Sequence, residues 1–216
     1  MWSDNKEREV TGLKRPELLH VTDENGTRVF GGNQYWYPKE DFFPGGACGS
    51  TTASNILAYM LLTRPELLEK AKFDGFGSKS GYMGFMKTVY RFFKPSIIGL
   101  HRSWFVKGVA GFAKEYGLPI SAEMLKVNVR CLKRPAFSDA ADFIYSAIEK
   151  ETPVAYLILS TGGVANLYKW HWVTIIGIDE KTRKVRILDN TSTYWVDLGA
   201  WLEKSVLGGA LIRLLV

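Results

Sequence analysis

The hydrophobic period of this chain changes near residue 150, and that change limits the folds open to it. In the first part, apolar residues after Cys48 fall at Ala53, Ile56, Leu57, Met60 and Leu61, the spacing of a buried helix face. A second helix is predicted over 103–116, ending at Gly117 with Pro119 as a stop. A third runs from Ser138 or Asp139 to Lys150, with Phe143, Ile144, Ala147 and Ile148 on its apolar side. The stretch 74–100 reads as loops plus a short helix, and glycine-rich 74–84 as a lid candidate. "RPELL" occurs at 15–19 and 64–68, a helix-start string used twice, with Thr63 and Glu66 spaced as a capping box. Residues 1–30 are polar and weakly periodic.

Beyond residue 150 the pattern belongs to strands. "PVAYLILS", "KWHWVTIIGID", "KVRILDN", "TYWVDL" and "ALIRLLV" are β-branched and aromatic, separated by turn residues. Helices followed by strands predict an α+β fold. We expect one domain over 1–216, with a helical lobe at about 30–150 facing an antiparallel sheet lobe at 151–216. A cleft between the lobes is the natural place for a site.

At 216 residues, 46% hydrophobic, the chain is long enough for a core that needs no staples. Its two cysteines make no disulfide scaffold, and Cys48, Cys131, His20 and His101 lack zinc-ligand spacing. No metal and no cofactor are expected. The net charge of +6 raises nucleic acid as a partner. The cations read as scattered, with "KTRKVR" at 181–186 as a hairpin tip, so the charge is read as a solvated surface. We therefore expect no nucleic-acid and no membrane partner. The charged N-terminus has no apolar core of a signal peptide, which favours the cytoplasm.

The candidate chemistry begins at "PGGACGSTTASNIL", which places Cys48 at a helix start. A helix N-terminus and a neighbouring imidazolium are the two usual ways to ionise a thiol. His20 and His101 read as solvated, whereas His171 opens the strand "HWVTIIGID", where an ionisable group needs a partner. That strand and "KVRILDN" should form a hairpin. A four-residue loop at 179–182 sets Asn190 opposite His171, and a five-residue loop at 178–182 sets Asp189 there. Either residue completes a Cys-His-Asp/Asn triad. Gln34, in "GGNQYWYP", and the Cys48 N–H are candidate oxyanion donors. Tyr168, Trp170 and Trp172 are expected in the core, and Tyr35, Trp36 and Tyr37 as cleft walls. Cys131 is taken as a structural thiol.

Gln34, then "GGACGSTTASNILAY", then "HWVTIIGID", then "ILDN", in that order, resembles the papain-like cysteine peptidases. The likeness is greatest to bacterial peptidases akin to those that remove double-glycine leaders from bacteriocins, and it covers about 30–216. The resemblance implies the papain-like fold, with Cys48 as nucleophile and His171 as general base and acid. It implies Asp189, with Asn190 in reserve, as the group orienting the imidazole, and Gln34 at the oxyanion. The substrate class is then a peptide or amide. A thiol-dependent acyltransferase with the same triad is the alternative, and a non-catalytic binding module a further one.

Overall fold

A computed structural model describes residues 10–39 and 46–216. Met1–Glu9, with most of the N-terminal stretch read for a signal, and Pro44–Gly45 before the cysteine lie outside the described residues. The protein is α+β. In chain order the elements are β1 (Thr11–Gly12), β2 (His20–Thr22), β3 (Arg28–Phe30), α1 (Cys48–Thr63), α2 (Pro65–Ala71) and α3 (Lys79–Tyr90). They continue as α4 (Arg102–Glu115), β4 (Ser121–Val127), α5 (Phe137–Ile148), β5 (Val154–Ile158) and β6 (His171–Asp179). The chain closes with β7 (Lys184–Asp189), β8 (Ser192–Asp197), α6 (Leu198–Lys204) and β9 (Gly209–Leu215).

The main sheet is antiparallel in the order β4-β9-β5-β6-β7-β8, and β1 pairs with β6 beyond the end of β5. On one face, Trp172 of β6 packs at Gly49 of α1, where a Cβ would stand 3.1 Å from its ring. On the other, Tyr156, paired with Val173, meets Trp201 of α6 edge-on at 4.8 Å. Successive strand residues point to opposite faces, so α1 and α6 cover opposite sides of the sheet. This explains why all five residues of β5 are buried, an unbroken apolar run instead of an alternating one.

α1 is the central helix. The sequence predicts one apolar face, but every residue from Cys48 to Leu61 is buried. Its polar residues are satisfied within the protein: Ser50 Oγ donates to the Phe93 carbonyl (2.7 Å), Ser54 Oγ to that of Ser50 (2.8 Å), and Asn55 Oδ1 accepts from Gly32 N–H and the Tyr82 hydroxyl (2.9 and 2.8 Å). The helices at 103–116 and 138–150 form as α4 and α5, within two residues of the expected bounds. α4 closes with Leu118 N–H bonded to the Ala113 carbonyl around left-handed Gly117, the Schellman arrangement.

Several expectations are corrected. Residues 79–90 form α3, three turns capped by Ser78, whose Oγ accepts from Gly81 N–H at 3.2 Å. Half of the supposed 74–84 lid is thus a helix, because one capping serine outweighs the local glycines. Both "RPELL" strings do open helical turns with proline at the first positions, but the capping box does not form. Thr63 is the last residue of α1 and turns its hydroxyl back to the Tyr59 carbonyl at 2.8 Å. β4 was not foreseen, and it places part of the first half at the sheet edge, paired with β9 over seven residues. Nor were β2 and β3, a small hairpin in the segment read as merely polar.

Candidate active site

The site forms where the first residue of α1 meets the first residue of β6, at one end of the sheet. Cys48 is 7% exposed, and α1 has no side-chain cap at its preceding residue, Ala47. The first-turn N–H groups therefore face the approach to the thiol, with the positive end of the helix dipole behind them. Gly49 is required here. A Cβ would stand 2.7 Å from Leu100 Cδ2, so any side chain would push away the Leu100 and Trp172 wall.

His171 Nε2 is 2.8 Å from Asp189 Oδ1, and the ring lines the same small pocket as Cys48. With Nε2 engaged by the carboxylate, Nδ1 is the nitrogen left for the thiol. Burial lowers the basicity of this imidazole, but the hydrogen bonds and charges of Asp189 and Cys48 outweigh it. The pKa is pushed up from 6.5 to about 10. Asp189 is itself held from two other sides. Asn190 Nδ2 donates to its Oδ1 at 3.0 Å and the Tyr194 hydroxyl to its Oδ2 at 3.0 Å. Burial, then the Asp189 charge, raises the pKa of Tyr194, which keeps its hydroxyl a donor.

The predicted register of this hairpin is wrong on both counts. β6 and β7 are joined by a turn at 180–183, and a bulge between Ile175 and Gly177 shifts the pairing, so that Thr174 stands opposite Leu188. Continued by one pair, this register sets Asp189 opposite Val173 instead of His171, and the carboxylate reaches His171 diagonally from the strand end. Asn190 is not in the strand. With Thr191 it makes the two-residue turn into β8, at φ 45° and 72°. From that turn Asn190 Oδ1 accepts the Gln34 N–H at 3.1 Å, so one side chain ties the Asp189 carboxylate to the Gln34 segment.

Gln34 opens a short 3₁₀ turn over 34–36 after Asn33 and is 6% exposed. Its Oε1 is buried without a hydrogen-bond partner. Gln34 is not in the lining of the small pocket at the site. That lining is Cys48, Thr51, Thr52 and Asn55 from α1, His171 and Trp172 from β6, and residues 188–190. Gly31 brings the Gln34 segment against α1: at φ 67°, a Cβ would lie 2.8 Å from Asn55 Oδ1. Asn55 and Tyr194 were missed in the sequence, since nothing local marks a buried asparagine mid-helix or a tyrosine on an outer strand.

The aromatic expectations divide. Trp172 is buried, stacked on Phe105 at 4.7 Å, with its Nε1–H on the Leu100 carbonyl at 2.9 Å. Tyr168 and Trp170 are exposed, not core, because β6 begins only at His171 and the alternation does not extend to them. Tyr168 stands edge-on to the His171 ring at 6.1 Å. Tyr37 is core rather than a cleft wall, its hydroxyl on the Met86 carbonyl at 3.3 Å, while Tyr35 is exposed. Cys131 is exposed, which excludes a packing role. His20 is half-buried, edge-on to Phe30 at 5.2 Å, with its pKa lowered by burial and then by Arg28. His101 caps α4, its ring accepting from Ser103 N–H at 3.3 Å.

Among the described residues no group of three or more His, Cys, Asp and Glu side chains is placed to hold a metal ion, and no helix is long and apolar enough to cross a membrane. No protein-family model matches the chain, and no curated protein matches it.

Proposed function

We propose that this protein is a papain-like thiol hydrolase that cleaves a peptide or amide bond through an acyl-enzyme on Cys48. The observation that carries the proposal is the convergence of Cys48, His171 and Asp189 on one small pocket at a helix N-terminus, with His171 held by Asp189 at 2.8 Å. An imidazolium beside a cysteine favours the thiolate, which is the nucleophilic form.

Cys48 Sγ attacks the scissile carbonyl carbon, and the carbonyl π pair moves onto oxygen. The oxyanion is met by the Cys48 N–H, and the side-chain Nε2–H of Gln34, from just outside the pocket lining, is the proposed second donor. As the tetrahedral intermediate collapses, the C–N bond breaks and His171 Nδ1–H protonates the departing amine. A water then attacks the thioester while His171 takes up its proton, and the thiolate leaves. Asp189 stays ionised throughout and fixes the ring through Nε2, while Asn190 and Tyr194 fix Asp189.

Alkylation with iodoacetamide tests the ion pair, with the exposed Cys131 as internal control. The expected result is that Cys48 reacts at least tenfold faster than Cys131 below neutral pH, and that His171→Ala abolishes the difference. Equal rates at the two thiols overturn the proposal. Intact-mass detection of an acyl adduct from a peptide p-nitroanilide mixture, absent in Cys48→Ala, then tests the chemistry. Free acid as product supports hydrolysis, and transfer of the acyl group to an added amine overturns it in favour of an acyltransferase.

A further inference from the structure

The turn between α3 and α4 carries two isoleucines with nothing packed over them. Ile97 is 96% exposed and Ile98 84%, at the tip of a turn closed by two hydrogen bonds between Ser96 and Gly99 (3.0 and 2.9 Å). Trp104, in the first turn of α4, is 45% exposed. An ordered tip that presents two adjacent large aliphatic side chains to water is built to bury them elsewhere.

The charge around the tip is as one-sided as its hydrophobicity. α3, the turn and α4 hold Lys79, Lys87, Arg91, Lys94, Arg102, Lys107 and Lys114 against one acidic residue, Glu115 at the far end of α4, and of these cations Lys79 pairs with Glu24 at 3.6 Å. The other 21 acidic residues balance the other 21 cations, so this segment accounts for the whole net charge of +6. Arg91 and Lys94 on the way into the tip and Lys107 one turn beyond Trp104 are exposed.

We infer that the α3–α4 tip docks on an anionic lipid bilayer, with Ile97 and Ile98 in the acyl boundary, Trp104 at the headgroup level and the flanking cations on the lipid phosphates. The expectation of no membrane partner, drawn from the apparent scatter of charge, is set aside here. Two isoleucines and part of a tryptophan are far less than the roughly 800 Å² per partner that a stable protein interface buries. They suit a bilayer, where a few inserted apolar side chains and several cations act together. A nucleic acid would use the cations but leave the isoleucines in water. The docking also has a geometric consequence. Leu100, two residues past Ile98, packs on Gly49 and accepts the Trp172 Nε1–H, so a docked tip holds the Cys48 end of α1 beside the membrane surface.

Co-sedimentation with phosphatidylcholine vesicles, with and without about one-third phosphatidylserine, tests this inference. The wild-type chain is expected to partition at least tenfold more strongly onto the anionic vesicles, and less as salt rises. Ile97→Ser/Ile98→Ser lowers that partition by about tenfold or more at an unchanged melting temperature. Lys94→Ser/Lys107→Ser lowers it and flattens the salt dependence. Cys48→Ser binds like the wild type, so the docking stands or falls independently of the proposed chemistry. Undiminished binding of the isoleucine double variant overturns the inference, as does retention on heparin or DNA without binding to anionic vesicles.

Discussion

His171 carries the chemistry of this molecule at the scale of a single side chain. Its environment contains two opposed influences. Burial alone takes an imidazole below its ordinary 6.5, whereas a carboxylate on one nitrogen and a thiol on the other take it up to about 10. His171 is therefore expected to remain protonated through neutral pH and to lose its proton only as pH rises toward about 10, which ring resonances in an NMR titration read directly. Cys48→Ala and Asp189→Asn each remove a raising influence and leave the burial, so each moves the titration downward. A His171 that titrates at 6.5 in the wild type contradicts the ion pair. Asn190 and Tyr194 act at one remove, through the carboxylate they hold.

At the scale of elements, the decisive device is the tight turn that ends β7. Asp189 is the last strand residue, and Asn190 and Thr191 both adopt left-handed backbone so that the chain enters β8 within two residues. Asparagine tolerates this conformation, but a β-branched threonine at φ 72° is strained. Relief of that strain outweighs the extra chain entropy of glycine, so Thr191→Gly is expected to stabilise the protein by about 0.5 to 1 kcal/mol in urea melts. It leaves the Asp189–His171 contact in place. The bulge in β6 belongs to the same device, since without it the pairing next to the 180–183 turn would continue and carry Asp189 one position further along the strand.

At the scale of the whole molecule, Glu151 joins three distant segments. It occupies the turn between α5 and β5, accepts the Lys14 N–H at 3.1 Å and takes the Tyr59 hydroxyl from α1. Beside it, Arg64 of the α1–α2 junction donates to the carbonyls of Lys150 and Glu151 at 2.6 and 3.2 Å. This knot fastens the β1 segment and the far end of α1 to the sheet, opposite the end that carries Cys48. Glu151→Ala leaves the Tyr59 hydroxyl without its acceptor and the Lys14 N–H without a partner, which is expected to cost about 1 to 3 kcal/mol by urea denaturation. Faster amide hydrogen exchange at Lys14 is expected to accompany it.

Three helices, five of the strands and the residue types of the site were readable in the linear chain, because a helical or strand period depends on neighbours within about one turn. Cys48 at a helix start and His171 at a strand start are local features of that kind. So is the acidic or amide side chain that follows at 189–190. α3 was obscured by glycines that its single capping serine overrides, and β4 by a pattern that only its partner β9 completes. Tertiary structure alone decided between Asp189 and Asn190, since a one-residue bulge and a diagonal contact have no signature in residue spacing. It likewise decided that Ile97 and Ile98 stay uncovered. Periodicity is set by covalent neighbours, but register and burial are set by long-range packing, and that is where the sequence stops and the fold takes over.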